Sequence, residues 1–199
     1  EDKARIRACF DSIPKQLSKE NKKFQYSTIR TGARAKDYWS CLQWIEDAGI
    51  IRRCHKLQMP ELGLAGNAID NVFKVYMADT GLFVSMLEDG TQADILQGDL
   101  LGYKGAIFEN LLADFLGKMQ RPLYYYHKEG GLEIDFVMRY KGECTLLECK
   151  ATTGHAKSLR TILSNPDKYH IYQAIKVGSY NIGRSDGILT IPHYLAFCL

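Results

Sequence analysis

The chain has 199 residues, 46% of them hydrophobic and 25% charged, with a formal net charge of +3. That balance is ordinary for a soluble globular protein and supplies apolar surface for one large core or two small ones. No stretch approaches the ~20 apolar residues of a membrane-spanning helix, and the opening Glu1-Asp2-Lys3-Ala4-Arg5 is charged where a signal peptide would be apolar, so a cytoplasmic protein without a membrane partner is expected.

Charge is unevenly placed. Residues 1–60 carry 13 Lys and Arg against 7 Asp and Glu, whereas residues 61–199 carry 13 against 16. A basic front half is where nucleic acid would dock first; the plainer alternative is a solvated basic face. The six cysteines (Cys9, Cys41, Cys54, Cys144, Cys149, Cys198) form no Cys-x-x-Cys pair, which argues against zinc and for reduced core thiols. The five histidines are scattered without ligand spacing. The first residue is not methionine, which leads to the expectation of a piece from a longer protein.

In chain order, Ile6–Phe10 reads as helical and a basic stretch runs from Lys15 to Lys36. Tyr38, Cys41, Leu42, Ile45 and Ala48 recur at three- and four-residue spacing, predicting a helix over 34–48 that Gly49 stops. Strand-like runs follow at 50–57 and 72–77, separated by a loop with Pro60, Gly63 and Gly66. Helices followed by a two-stranded hairpin outline a winged helix, expected over residues 1–88. Tyr38, Leu42 and Ile45 would be core, leaving Arg34 and Lys36 to touch phosphates. A pure protein-interaction module would show the same outline.

Asp79-Thr80-Gly81-Leu82 reads as a capped helix start, and 88–101 as an acidic, Gly-containing connector. Ile107, Phe108, Leu111, Leu112, Phe115, Leu116 and Met119 mark an amphipathic helix ending before Arg121-Pro122. Strands are predicted at Leu123–His127, Leu132–Tyr140 and Cys144–Lys150, then a helix over 156–164 and strands at Ile171–Val177 and Ile188–Ile191. Residues 89–199 thus form a second α/β domain of order α-β-β-β-α-β.

That domain holds the informative constellation: Glu109, Glu133-Ile134-Asp135-Phe136-Val137, and Leu147-Glu148-Cys149-Lys150, acids and a lysine in otherwise apolar sequence. Burying an unpaired carboxylate is costly. Strand alternation puts Glu133, Asp135 and Val137 on one face, and Leu146, Glu148 and Lys150 on one face of the next strand. If the strands pair through Lys141-Gly142-Glu143, Asp135 and Glu148 are neighbours, and a cation would relieve their repulsion. Hard oxygen ligands suit Mg²⁺ or Mn²⁺, with Glu109 as a third. Lys150 would then orient water or stabilise charge on a phosphate. Structural ion pairs give the same composition. Elsewhere, His155 suits either a phosphate contact or a helix start, and Tyr124-Tyr125-Tyr126 either base stacking or core. Tyr172 and Gln173, on the late strand expected at 171–177, are weaker candidates for lining the same cleft.

The segments SIPKQLSKENKKFQYSTI, GARAKDYWSCLQWIEDAGII, FKVYMADTGLF, KGAIFEN, EIDFV, LLECKATTGHAKSL and IPHYL together resemble the C-terminal part of a bacterial and archaeal family of AAA-type P-loop ATPases. In that family a winged helix precedes a domain that looks like the restriction-endonuclease, or PD-(D/E)XK, fold around a central mixed sheet. The resemblance implies Glu109 as the helix acid, Asp135 as the strand acid and Glu148 and Lys150 as the E-x-K pair. It also implies an upstream ATPase module, since this chain has no G-x-x-x-x-G-K-[ST] and hence no ATP site of its own. Two functions compete: a module that engages nucleic acid, DNA binding included, with Mg²⁺- or Mn²⁺-dependent phosphodiester cleavage as its nuclease activity, and a non-catalytic regulatory or protein-binding module that controls the ATPase. A winged-helix transcription regulator ranks third, because it leaves the second half idle.

Overall fold

The computed structural model describes residues 2–19, 22–99 and 101–199; residues 20 and 21 of the basic stretch lie outside them. It is a mixed α/β protein with two mixed sheets. Two units divide it, Glu1–Arg53 with Phe73–Asp114, and Cys54–Val72 with Phe115–Leu199.

The first unit opens with α1 (Asp2–Leu17), longer than the predicted 6–10 because Cys9, Ile13 and Leu17 continue a buried stripe at four-residue spacing. After a 3-10 turn at Tyr26–Thr28 comes α2 (Ala35–Asp47), which packs on α1. Its inner face is Tyr38, Cys41, Leu42 and Ile45, all buried. Gly49 ends it in the left-handed region (φ 72), donating its amide to the Glu46 carbonyl at 2.8 Å. The chain then runs through β1 (Ile51–Leu57) and β2 (Ala68–Met77), strands expected at 50–57 and 72–77; residues 51–53 and 73–77 belong to this unit and Cys54–Val72 to the second. Arg53 lies on the Trp39 ring, 4.6 Å from its centroid, and pairs with Glu46 at 2.5 Å. The Asp79 carboxylate caps α3 (Thr80–Ser85), accepting from the Leu82 amide at 2.7 Å. The 88–101 segment contains a helix the sequence did not announce, α4 (Thr91–Leu96); six residues are too few for a periodic signal. Then comes α5 (Lys104–Lys118), close to its predicted extent.

The second unit holds β3 (Leu123–Lys128), parallel to the 54–57 part of β1 in the same unit and antiparallel to β4 (Leu132–Ile134). Next come β5 (Phe136–Tyr140) and β6 (Glu143–Cys149), joined by Lys141 (φ 50) and Gly142 (φ 90). Two consecutive left-handed residues make the tight hairpin turn that matches strand twist. The helices α6 (Lys157–Leu163) and α7 (Pro166–Tyr169) cross over to β7 (Ala174–Gly178), parallel to β6. Finally β8 (Gly183–Ser185) and β9 (Ile188–Pro192) complete a sheet ordered β5-β6-β7-β9-β8. Tyr126, Ile134, Val137 and Leu146 pack against Leu159, Ile162 and Tyr169 as its core.

One predicted strand is broken. Residues 132–140 split at Asp135 into β4 and β5, which join different sheets. The Asp135 side chain, not a backbone carbonyl, takes the Cys149 amide from the neighbouring strand, at 2.8 Å.

Candidate functional site

In the second unit, β5 and β6 pair Phe136 with Leu147 and Tyr140 with Glu143. Extending that register by one residue sets Asp135 opposite Glu148. Asp135 is half-buried and Glu148 is 7% exposed, at the end of β6 beside Lys176 of β7. Lys150 follows just beyond the strand, anchored by its amide to the Val177 carbonyl at 2.8 Å. Its ammonium pairs with Glu148 Oε1 at 2.5 Å. Burial pulls the Lys150 pKa down, but the hydrogen bond and charge of Glu148, the Asp135 charge and Tyr180 together raise it above its ordinary value. Lys150 is therefore an ammonium at neutral pH. These three residues, brought together here, were all legible in the sequence.

Two neighbours were not. His193 lies 2.8 Å from the Lys150 carbonyl through Nε2. A carbonyl only accepts, so Nε2 carries the proton. Burial lowers the His193 pKa, with the Lys150 hydrogen bond opposing, so the ring is neutral at neutral pH. Tyr180 holds the loop after Lys150, accepting from the Gly154 amide at 2.7 Å, under the Lys176 ammonium 4.3 Å from its ring centroid. Gly178 makes room for this ring: a Cβ there would lie 2.5 Å from Tyr180 and 2.7 Å from the Thr152 carbonyl oxygen.

Glu109 falls in the first unit, on α5, with its partners on the same unit. Its Oε2 accepts from Lys22, and its Oε1 from the Tyr76 hydroxyl and, at 3.4 Å, from Lys74. Burial alone would raise its pKa. The Lys74 and Lys22 charges and the hydrogen bonds from Lys22 and Tyr76 outweigh that and hold it at about 2. The same seam continues along α5: Asn110 exchanges hydrogen bonds with the Met77 backbone, and Asp114 accepts from the Thr80 amide at 3.0 Å. Lys74, 1% exposed, was the available signal, a lysine inside the apolar run Val72-Phe73-Lys74-Val75-Tyr76-Met77. Among the described residues no group of three or more His, Cys, Asp or Glu side chains could hold a metal ion.

Arg34 and Lys36 are exposed at the start of α2. Tyr124, Tyr125 and Tyr126 are all buried, so they are core. Gln173 donates to Thr145 Oγ1 at 3.0 Å, a link between structural elements, and Tyr172 is exposed. His155 stands two residues before α6. Among the described residues no helix is long and apolar enough to cross a membrane.

Comparison with known proteins adds two matches. A family model described as a domain of unknown function (DUF8612) matches residues 1–93. A second, the domain of unknown function DUF4143, matches residues 104–194 and is found in AAA-ATPase-associated proteins. No curated protein and no solved structure matches the chain.

Proposed function

We propose that this chain is the C-terminal module of an AAA-type ATPase, that it engages nucleic acid, and that its second unit is a restriction-endonuclease-like domain able to cut phosphodiester bonds. The observation that carries this reading is the meeting of Asp135, Glu148 and Lys150 at the adjoining ends of β5 and β6. The surrounding order supports it: a helix, antiparallel strands, a helix, and a strand parallel to the one bearing Glu148. The order of two helices ahead of β1 and β2 supports a winged helix, with Arg34 and Lys36 exposed at the start of α2 to meet phosphates.

Asp135 and Glu148 fit Mg²⁺ or Mn²⁺: Mg²⁺ is commonly held by one or two carboxylates together with waters and substrate oxygens. Such an ion, when bound, supplies charge neutralisation and a water of lowered pKa. Lys150, an ammonium at neutral pH, does not act as a base. It stabilises negative charge growing on the phosphate, aimed by the His193 hydrogen bond to its own carbonyl and by the Val177 anchor. Glu109 has no part in this reading, because both of its oxygens are engaged within the first unit.

A second reading, a module that regulates the ATPase without cleaving, is favoured by the Glu148–Lys150 pair, which already satisfies both charges. Incubating the chain and its Lys150→Ala variant with supercoiled plasmid and single-stranded DNA in Mg²⁺ or Mn²⁺ separates the two. Cleavage by the parent alone supports the nuclease; no cleavage by either in both metals supports the regulator.

A further inference from the structure

Two cavities on the second unit share a wall. One, of about 290 Å³, is lined by Lys128, Glu129, Lys168 and Tyr169 together with Thr161 and Asn165. The other, of about 680 Å³, is lined by the same Thr161 and Asn165 and by His155, Lys157, Arg160 and Ser164. The shared residues make one groove along α6 and α7.

The helix pattern builds it. Leu159 and Ile162 bury one face of α6 in the core, so Lys157, Arg160, Thr161 and Ser164, at i, i+3, i+4 and i+7, share the outer face. Lys128 at the end of β3 and Lys168 on α7 add two more cations. Against four cations and His155 stands one lining carboxylate, Glu129. Among the described residues none of the four cations pairs with a carboxylate. Like charges one turn apart, as at Lys157 and Arg160, repel. An unneutralised, concave run of cations suits an extended polyanion better than it suits solvent.

We propose that this groove seats the phosphodiester backbone of nucleic acid, with Lys128, Lys157, Arg160 and Lys168 each meeting a phosphate. The Ser164 hydroxyl and the second N–H of Asn165, whose first goes to the Thr161 carbonyl at 2.8 Å, are further donors to phosphate oxygen. The proposal rests on the nucleic-acid reading above but not on cleavage, because it uses none of Asp135, Glu148 and Lys150. Backbone contacts carry no sequence information, so binding should tolerate any sequence.

The test is fluorescence anisotropy of labelled DNA and RNA duplexes against salt. The parent chain is compared with Lys157→Ala/Arg160→Ala, with Arg34→Ala/Lys36→Ala and with the turn variant Lys141→Ala; circular dichroism checks that each is folded. The four groove contacts contribute a loss of roughly 100-fold in affinity between about 50 and 200 mM salt, and removing two of them cuts that contribution to roughly 10-fold. The expected result is the smaller salt loss in Lys157→Ala/Arg160→Ala and the parent's value in Lys141→Ala. If Lys157→Ala/Arg160→Ala keeps the parent's salt dependence, the groove is refuted, and the nucleic-acid reading still stands wherever the parent binds. If the parent binds neither duplex, both are refuted.

Discussion

Replacing Glu109 with Gln keeps the shape of a side chain that the first unit uses as a charge hub, but removes its charge. Lys22 keeps some access to water, with 16% side-chain exposure, and can turn outward; Lys74, at 1%, cannot. The lasting cost is one ammonium buried without its counter-charge, about 3–5 kcal/mol for a broken buried pair. With a urea m-value of about 2 kcal/mol/M, the denaturation midpoint should fall by roughly 1.5–2.5 M. Lys74→Met/Glu109→Leu removes both ends of the more deeply buried pair and should lose clearly less than the two single changes combined, by more than about 1 kcal/mol. A midpoint shift under about 0.5 M in Glu109→Gln, or simple additivity in the double variant, would refute the reasoning.

The same carboxylate sets an acid limit. Its folded pKa, about 2, lies below its ordinary 4.5, so its stabilisation is complete above 4.5 and is lost as pH falls toward 2. Urea midpoints across that window should fall more steeply for the parent than for Glu109→Gln; parallel curves would contradict it. In the second unit, Glu148→Gln removes the chief force raising the Lys150 pKa while burial remains, so lysine-resolved NMR titration should show Lys150 titrating at lower pH, and an unchanged titration would count against the pair. Gly178→Ala forces a methyl against the Tyr180 ring and the Thr152 carbonyl; overpacking of about 1–3 kcal/mol should lower Tm by roughly 3–10 °C, and an unchanged Tm would mean that the ring is not fixed there.

What the sequence disclosed followed the range of the interactions. The helix α2 was readable because its burial stripe and its glycine stop are local. The Asp135–Glu148 neighbourhood was readable because a two-residue turn at Lys141-Gly142 fixes the register between their strands. Glu109 looked like a ligand because its partners are remote, Lys22 lying 87 residues away and Lys74 35. No spacing rule connects such residues. The break at Asp135 was hidden for a related reason: alternation continues through it, and the side-chain bond to the Cys149 amide at that point reaches across to another strand. The approach of Tyr180 and His193 to the site depends on contacts spanning 26 and 43 residues, neither of which is set by a local turn.

The central claim, that Asp135 and Glu148 hold a hard cation while Glu109 does not, is tested most directly by Mn²⁺ binding, followed by isothermal titration calorimetry and by loss of the free-ion paramagnetic resonance signal. One ion bound by the parent and by folded Glu109→Gln, but lost in Asp135→Asn and in Glu148→Gln, is the predicted result. Binding that survives Glu148→Gln, or no binding by the parent, would contradict it.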